Sequence, residues 1–276
     1  MTTPIEHDVF TLYPGSGPLL VSMPHVGTLI PADQQPRYTE RALQLEDTDW
    51  HLEALYDFVK GSGASLLVPR YSRYVIDLNP PSENTPMYLG ANNTELVPTR
   101  FFTGDALYRP GLAPDEAEIA RRIDTYWRPY HSALQAELQR LHQAHGHAVL
   151  FDAHSIQSEV PWLFEGRLPD LNLGTANGSS AEPSLRAALA QVLAGQSRYS
   201  QVVDGRFKGG HITRHYGRPD QGWHAIQLEM CWSCYMAEQA PYVLDATRAN
   251  QVRPLLQQLV HTMLHWKPPA QPAAAA

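Results

Sequence analysis

Residues 114–154 read PDEAEIARRIDTYWRPYHSALQAELQRLHQAHGHAVLFDAH, and the fold class turns on how this stretch divides. Ile119, Ile123, Trp127, Tyr130, Leu134, Leu138 and Leu141 recur at three- and four-residue steps, one apolar face of a long helix. Pro114 marks its start and Gly146 its stop, while Pro129 inside it predicts a kink. Residues 148–151 then predict a buried strand, followed at once by Asp152 and His154. A helix runs directly into a strand that ends in polar groups.

The same alternation extends in both directions. Residues 19–23, 65–68, 74–78, 201–203 and 225–228 are further short apolar runs that read as strands. Leu52, Leu55, Tyr56 and Val59 mark one more helical face, and Val252, Leu256, Leu259, Met263 and Trp266 a closing helix. Strands alternating with helices predict a single α/β domain over residues 1–267, its mostly parallel mixed sheet flanked by helices on both faces. Residues 268–276, PPAQPAAAA, read as a disordered tail or cloning remnant.

Composition narrows the function classes. Twenty-one Lys+Arg against 28 Asp+Glu leave a net charge of −7, which argues against nucleic acid or an anionic membrane as partner. No run approaches the roughly 18 apolar residues of a membrane span. No secretory signal opens the chain, and two cysteines among 276 residues suit a reducing cytoplasm. Thirteen histidines point instead to imidazole and carboxylate chemistry.

Three long stretches rich in Gly, Pro and Asn, residues 80–112, 155–180 and 205–221, each follow an expected strand. Loops of that length are uncommon unless functional, and in open α/β sheets ligands gather beyond the carboxyl ends of the strands. His25 and His154 both stand at such ends, and Glu46-Asp47-Thr48-Asp49 opens a helix between them. Two imidazoles and one carboxylate are the protein ligands of a catalytic zinc. The plainer reading, polar strand ends and a capping Asp, stands beside it. Glu229 ends an apolar run where a carboxylate is costly to bury unless it is used or paired. Arg73 offers donors for a carboxylate or oxyanion. Residues 208–216, KGGHITRHY, put basic and imidazole groups on a glycine-rich loop suited to an acidic substrate, or simply to solvent. Cys231 and Cys234 have redox spacing but follow a late strand, the wrong place for a thioredoxin-type motif. No dinucleotide, Walker or nucleophile-elbow motif is present.

SMPHVG (22–27), DTDWH (47–51), SRYVIDLN (72–79), DAHSI (152–156), LPDLNLGT (168–175) and GRFKGGHITRHYG (205–217) together resemble the N-formylglutamate amidohydrolase family over roughly residues 9–266. The resemblance implies a zinc-carboxypeptidase/phosphorylase-hydrolase-like α/β fold and hydrolysis of N-formyl-L-glutamate, a small acidic amide, to formate and L-glutamate in histidine breakdown. It implies a divalent metal, zinc or else cobalt, nickel or iron, held by His25, Asp49 and His154. Glu229 becomes the general base and Arg73 an oxyanion or carboxylate donor, with Asn79 beside it. Two departures matter. Thr28 stands where carboxypeptidase relatives carry their acidic ligand, which leaves Asp47 and Asp49 as competing choices. Pro80 replaces a family Arg, so Lys208, His211 and Arg214, with Arg206, become the expected substrate-carboxylate groups. Deacylation of another N-acyl amino acid and non-catalytic sensing of an acidic metabolite are the alternatives.

Overall fold

In the computed structural model of the chain, which describes residues 3–85 and 94–269, the apolar runs assemble into one eight-stranded sheet. Its strands are β1 (Ile5–Glu6), β2 (Phe10–Tyr13), β3 (Leu19–Ser22), β4 (Ser65–Pro69), β5 (Ala148–Ile156), β6 (Leu171–Gly174), β7 (Gln201–Val203) and β8 (Trp223–Cys231). The order is β1-β2-β4-β3-β5-β8-β6-β7. The central β4, β3, β5 and β8 are mutually parallel, with β2 and β6 antiparallel on either side. The helices are α1 (Leu52–Leu55), α2 (Glu116–Arg122), α3 (Arg128–His145), α4 (Pro183–Ala194), α5 (His211–Tyr216) and α6 (Ala246–His265). None is long and apolar enough to cross a membrane.

Side chains alternate across a strand, so each strand serves two cores. Leu19, Val21, Val149, Phe151, Ala153, Ile226 and Leu228 face one side and pack with Leu185 and Leu189 of α4 and Val252, Leu256 and Leu259 of α6. Leu20, Leu67, Leu150 and Ala225 face the other, under Tyr130, Leu134, Leu138 and Leu141 of α3. Fully burying one such Leu contributes about 1.5–3 kcal/mol. On this second side the strands change character towards their carboxyl ends. Leu20 gives way to Ser22, Leu150 to Asp152 and His154, and Ala225 to Gln227 and Glu229. Apolar positions stop where a site begins.

The long helix forms as one continuous path with a local widening. The Arg128 N–H bonds the Ile123 carbonyl, five residues back, in a π-helical turn over Ile123–Trp127. Pro129, which has no N–H to give, follows immediately in the first turn of α3. Gly146 closes α3 in the left-handed conformation. Residues 74–78 are not a strand. β4 is already paired on both edges by β2 and β3, and the chain turns at Ser72, whose carbonyl accepts the Val75 N–H. Val75, Ile76 and Leu78 are buried all the same, as a plug in the second core. The stretch 155–180, expected to be irregular, contains β6, and 205–221 contains α5. Residues 86–93 of the stretch 80–112, and 270–276 of the expected tail, lie outside the described residues.

Candidate metal centre and active site

His25 leaves β3 on a chain segment pinned to the next one, because the His25 carbonyl accepts the Asp49 N–H at 3.1 Å. His154 stands in β5 directly opposite Glu229 of β8 in the parallel register. These three segments bring His25, Asp49 and His154 together, with one ligand atom from each lying within 4.8 Å of the others. The two Nδ1 atoms are 3.1 Å apart. Asp49 Oδ2 lies 3.8 Å from the first and 3.6 Å from the second, and accepts the Ser155 N–H at 3.1 Å. Asp49 Oδ1 is buried and, among the described residues, has no hydrogen-bond partner, with Arg73 Nη1 3.9 Å away.

The opposite edges of both rings meet carboxylates. His25 Nε2 donates to Asp77 Oδ1 at 2.8 Å, and His154 Nε2 lies 3.0 Å from Asp152 Oδ2. A carboxylate can only accept, so the His25 ring carries its proton on Nε2 and turns its Nδ1 lone pair inward. The His25 lone pair and the Asp49 carboxylate, both facing the His154 Nδ1, crowd acceptors at one point. A cation between them resolves it, and an outer carboxylate behind each ligating imidazole is the usual support of such a site. The residues therefore fit a divalent cation.

The surrounding carboxylates draw positive charge to this point, whether a proton or a metal. Burial favours a neutral His154 ring, yet Asp152, Asp49 and Glu229 together hold its pKa well above the ordinary value. Burial and Arg73 lower that of His25. Burial opposes ionisation of Asp77, but Arg73 and His25 outweigh it and hold that carboxyl well below the usual range. Burial pushes the Glu229 carboxyl up to about 8 against the pull of His154.

Asp47 is directed elsewhere. Its Oδ2 accepts the Tyr74 hydroxyl at 2.8 Å and the Phe102 N–H at 3.1 Å, and burial raises it to about 6. Arg73 is buried, donates to Asp77 Oδ2 at 2.6 Å and stacks over Phe102. A cavity of about 110 Å³ opens beside these groups, and Arg73, Asn79, His154, Gln227 and Glu229 are among the described residues that line it. Lys208, His211 and Arg214 are not. Arg214 is exposed and its Nε donates to the Gly209 carbonyl, while His211 stacks on His215. The glycines between Lys208 and His211, Gly209 and Gly210, line the cavity instead.

Asp77, Asp152 and Gln227 carry no role in the sequence reading. Asp152 was detectable in principle, two residues before His154 and so on the same strand face. The pairing of Asp77 with His25, 52 residues away, was not. Cys231 and Cys234 are buried in the core, and burial pushes the Cys231 thiol up to about 12.

A model of the N-formylglutamate amidohydrolase family matches residues 17–236. An N-formylglutamate deformylase of Pseudomonas aeruginosa is 49% identical over 259 residues, 94% of this chain and 97% of that protein. One from Pseudomonas putida is 47% identical over 258 residues, 94% and 96% of the two chains. The crystal structure of an N-formylglutamate amidohydrolase from Ralstonia eutropha superposes with a TM-score of 0.79 at 25% identity, covering 92% of this chain and 97% of that one.

Proposed function

The chain belongs to the N-formylglutamate amidohydrolase family, and from that premise we propose that it hydrolyses N-formyl-L-glutamate to formate and L-glutamate at the site of His25, Asp49 and His154. The observation that carries this reading is the convergence of two inward-facing Nδ1 atoms and one carboxylate beside the buried Glu229. His25, Asp49 and His154 hold the cation, and the set of two imidazoles and a carboxylate favours zinc among the metals that bind such ligands. A cation held there acidifies a neighbouring water and polarises the formyl carbonyl.

The protein groups do the rest. Glu229 takes a proton from the attacking water as its oxygen bonds to the formyl carbon. Arg73, anchored by Asp77, directs its guanidinium at the developing oxyanion. Glu229 then passes the proton to the amide nitrogen as the C–N bond breaks, so formate and a free amine leave. Asp77 and Asp152 keep the two imidazoles oriented throughout.

The test is Glu229→Gln, with metal content and formate release measured on the same preparation. The expected protein binds as much zinc as the wild type and loses at least about 10²-fold in turnover. Near-normal formate release from metal-loaded Glu229→Gln would refute the assignment.

A further inference from the structure

Two carboxamides line the cavity, Asn79 and Gln227, and the oxygens of both are taken by backbone at the entrance to α5. Gln227 Oε1 accepts the Gly210 N–H at 2.8 Å, and Asn79 Oδ1 accepts the Ile212 N–H at 3.2 Å. A backbone N–H can only donate, so the orientation of each amide is settled by its neighbour. Gln227 is 3% exposed, and its Nε2 makes no hydrogen bond among the described residues. Asn79 Nδ2 lies 3.4 Å from His154 Nε2. The backbone has closed in to make this possible, since a Cβ on Gly210 would lie 2.4 Å from the Asn79 amide. The Gly209 turn, with φ of +109°, is likewise one that side chains resist.

The charges around the cavity make those amides informative. Among the described lining residues Arg73 is the one guanidinium or ammonium, and Asp77 already holds it. Asp49 and Glu229 are carboxylates. A substrate with two carboxylates therefore meets a wall poor in unengaged positive charge, and uncharged donors are what remain. Gln227 and Glu229 have side chains of nearly equal length, project from the same face of β8 and stand one pleat repeat apart, about 6.6 Å. A donor at that spacing reaches past the formamide to the far end of a glutamate side chain.

We propose that Gln227, its amide oriented by Gly210, is the specificity-determining residue of the site, donating with Asn79 to the side-chain carboxylate of the substrate. The assignment rests on the reaction proposed above. It also explains how the site selects an acidic amide while Lys208 and Arg214 stay outside the cavity.

The test is the variant Gln227→Glu, which keeps an oxygen for the Gly210 N–H and replaces the NH2 donor by an acceptor. Calorimetric titration of L-glutamate and L-glutamine into zinc-reconstituted wild type and variant reads the subsite without turnover. The expected result is a loss of about ten-fold or more in affinity for L-glutamate with L-glutamine unchanged or tighter. The same inversion is expected in kcat/KM for N-formylglutamate against N-formylglutamine. Unchanged L-glutamate affinity, or an equal loss for both ligands, overturns the assignment. Should Gln227→Glu fail to fold, Gln227→Met is expected to abolish the preference for glutamate, and retention of that preference counts against the proposal. A wild type that never releases formate would instead sink the reaction itself, which the titration does not depend on.

Discussion

His25 and His154 meet through their Nδ1 atoms, 3.1 Å apart, and each turns its far ring nitrogen to a buried carboxylate of its own. His154 belongs to β5 and His25 follows the end of the neighbouring β3, whose Ser22 stands opposite Asp152 in register. The His25 tautomer is thus set from outside, and its inward lone pair and the Asp49 carboxylate call for a positive charge between them.

Removal of that charge is expected to loosen the fold as well as stop the reaction. A cation present at 100 times its Kd stabilises the folded state by about 2.7 kcal/mol. Dialysis against a chelator should lower the melting temperature and zinc should restore it. Asp49→Asn and His154→Ala should lose the metal, and Asp47→Asn should keep it, as atomic absorption of the three purified variants would show. Equal metal loss in all three would mean that Asp47, not only Asp49, is a ligand.

Asp77→Asn tests the support behind His25. Asp77 Oδ1 accepts from the imidazole and Oδ2 from Arg73, so the variant weakens the hold on both. Loss of such an outer partner typically costs 10–100-fold in metal affinity. Competition with a chromophoric chelator measures this, and an affinity within two-fold of wild type would remove Asp77 from the account.

Gly210→Ala places a methyl where the Asn79 amide already is, 2.4 Å away. Asn79 would have to move from His154, and the Gly210–Gln227 hydrogen bond with it. The expected outcome is at least a ten-fold drop in kcat/KM with metal content retained. A variant with wild-type kinetics would show that the loop adjusts freely.

Acid lability should trace in part to His131. Its Nε2 donates to the Leu78 carbonyl at 2.8 Å, its Nδ1 accepts from the Tyr216 hydroxyl at 2.9 Å, and Trp127 stacks on the ring. Burial lowers its pKa to about 3. Below pH 6.5 the unfolded chain binds a proton that the folded ring refuses, so stability declines as pH falls from about 6.5 towards 3, by on the order of 4 kcal/mol across the window. His131→Asn is expected to be less stable at pH 7 and to lose less stability on acidification. Parallel curves of melting temperature against pH for the two proteins would refute this.

Much of the fold was legible in one dimension because burial imposes a period. The helix through Tyr130, Leu134, Leu138 and Leu141 and the strands at 19–23, 148–151 and 225–228 announce themselves by spacing. The run 74–78 carries the same apolar signal without forming a strand, since composition records that residues are buried and not whether a sheet edge remains to pair with. β6 and α5 went unnoticed inside glycine-rich stretches for the converse reason.

The sequence by itself determined which residue types were present at the strand ends, two histidines, a nearby acidic pair and a buried Glu, because strand periodicity and the cost of burying charge both leave local traces. Only the tertiary structure set Asp49 beside the two histidines and Asp47 against Tyr74, paired His25 with Asp77, and placed Gln227 on the cavity wall with Lys208, His211 and Arg214 off it. Those outcomes depend on side-chain direction and on contacts between residues far apart in the chain, which no local pattern encodes.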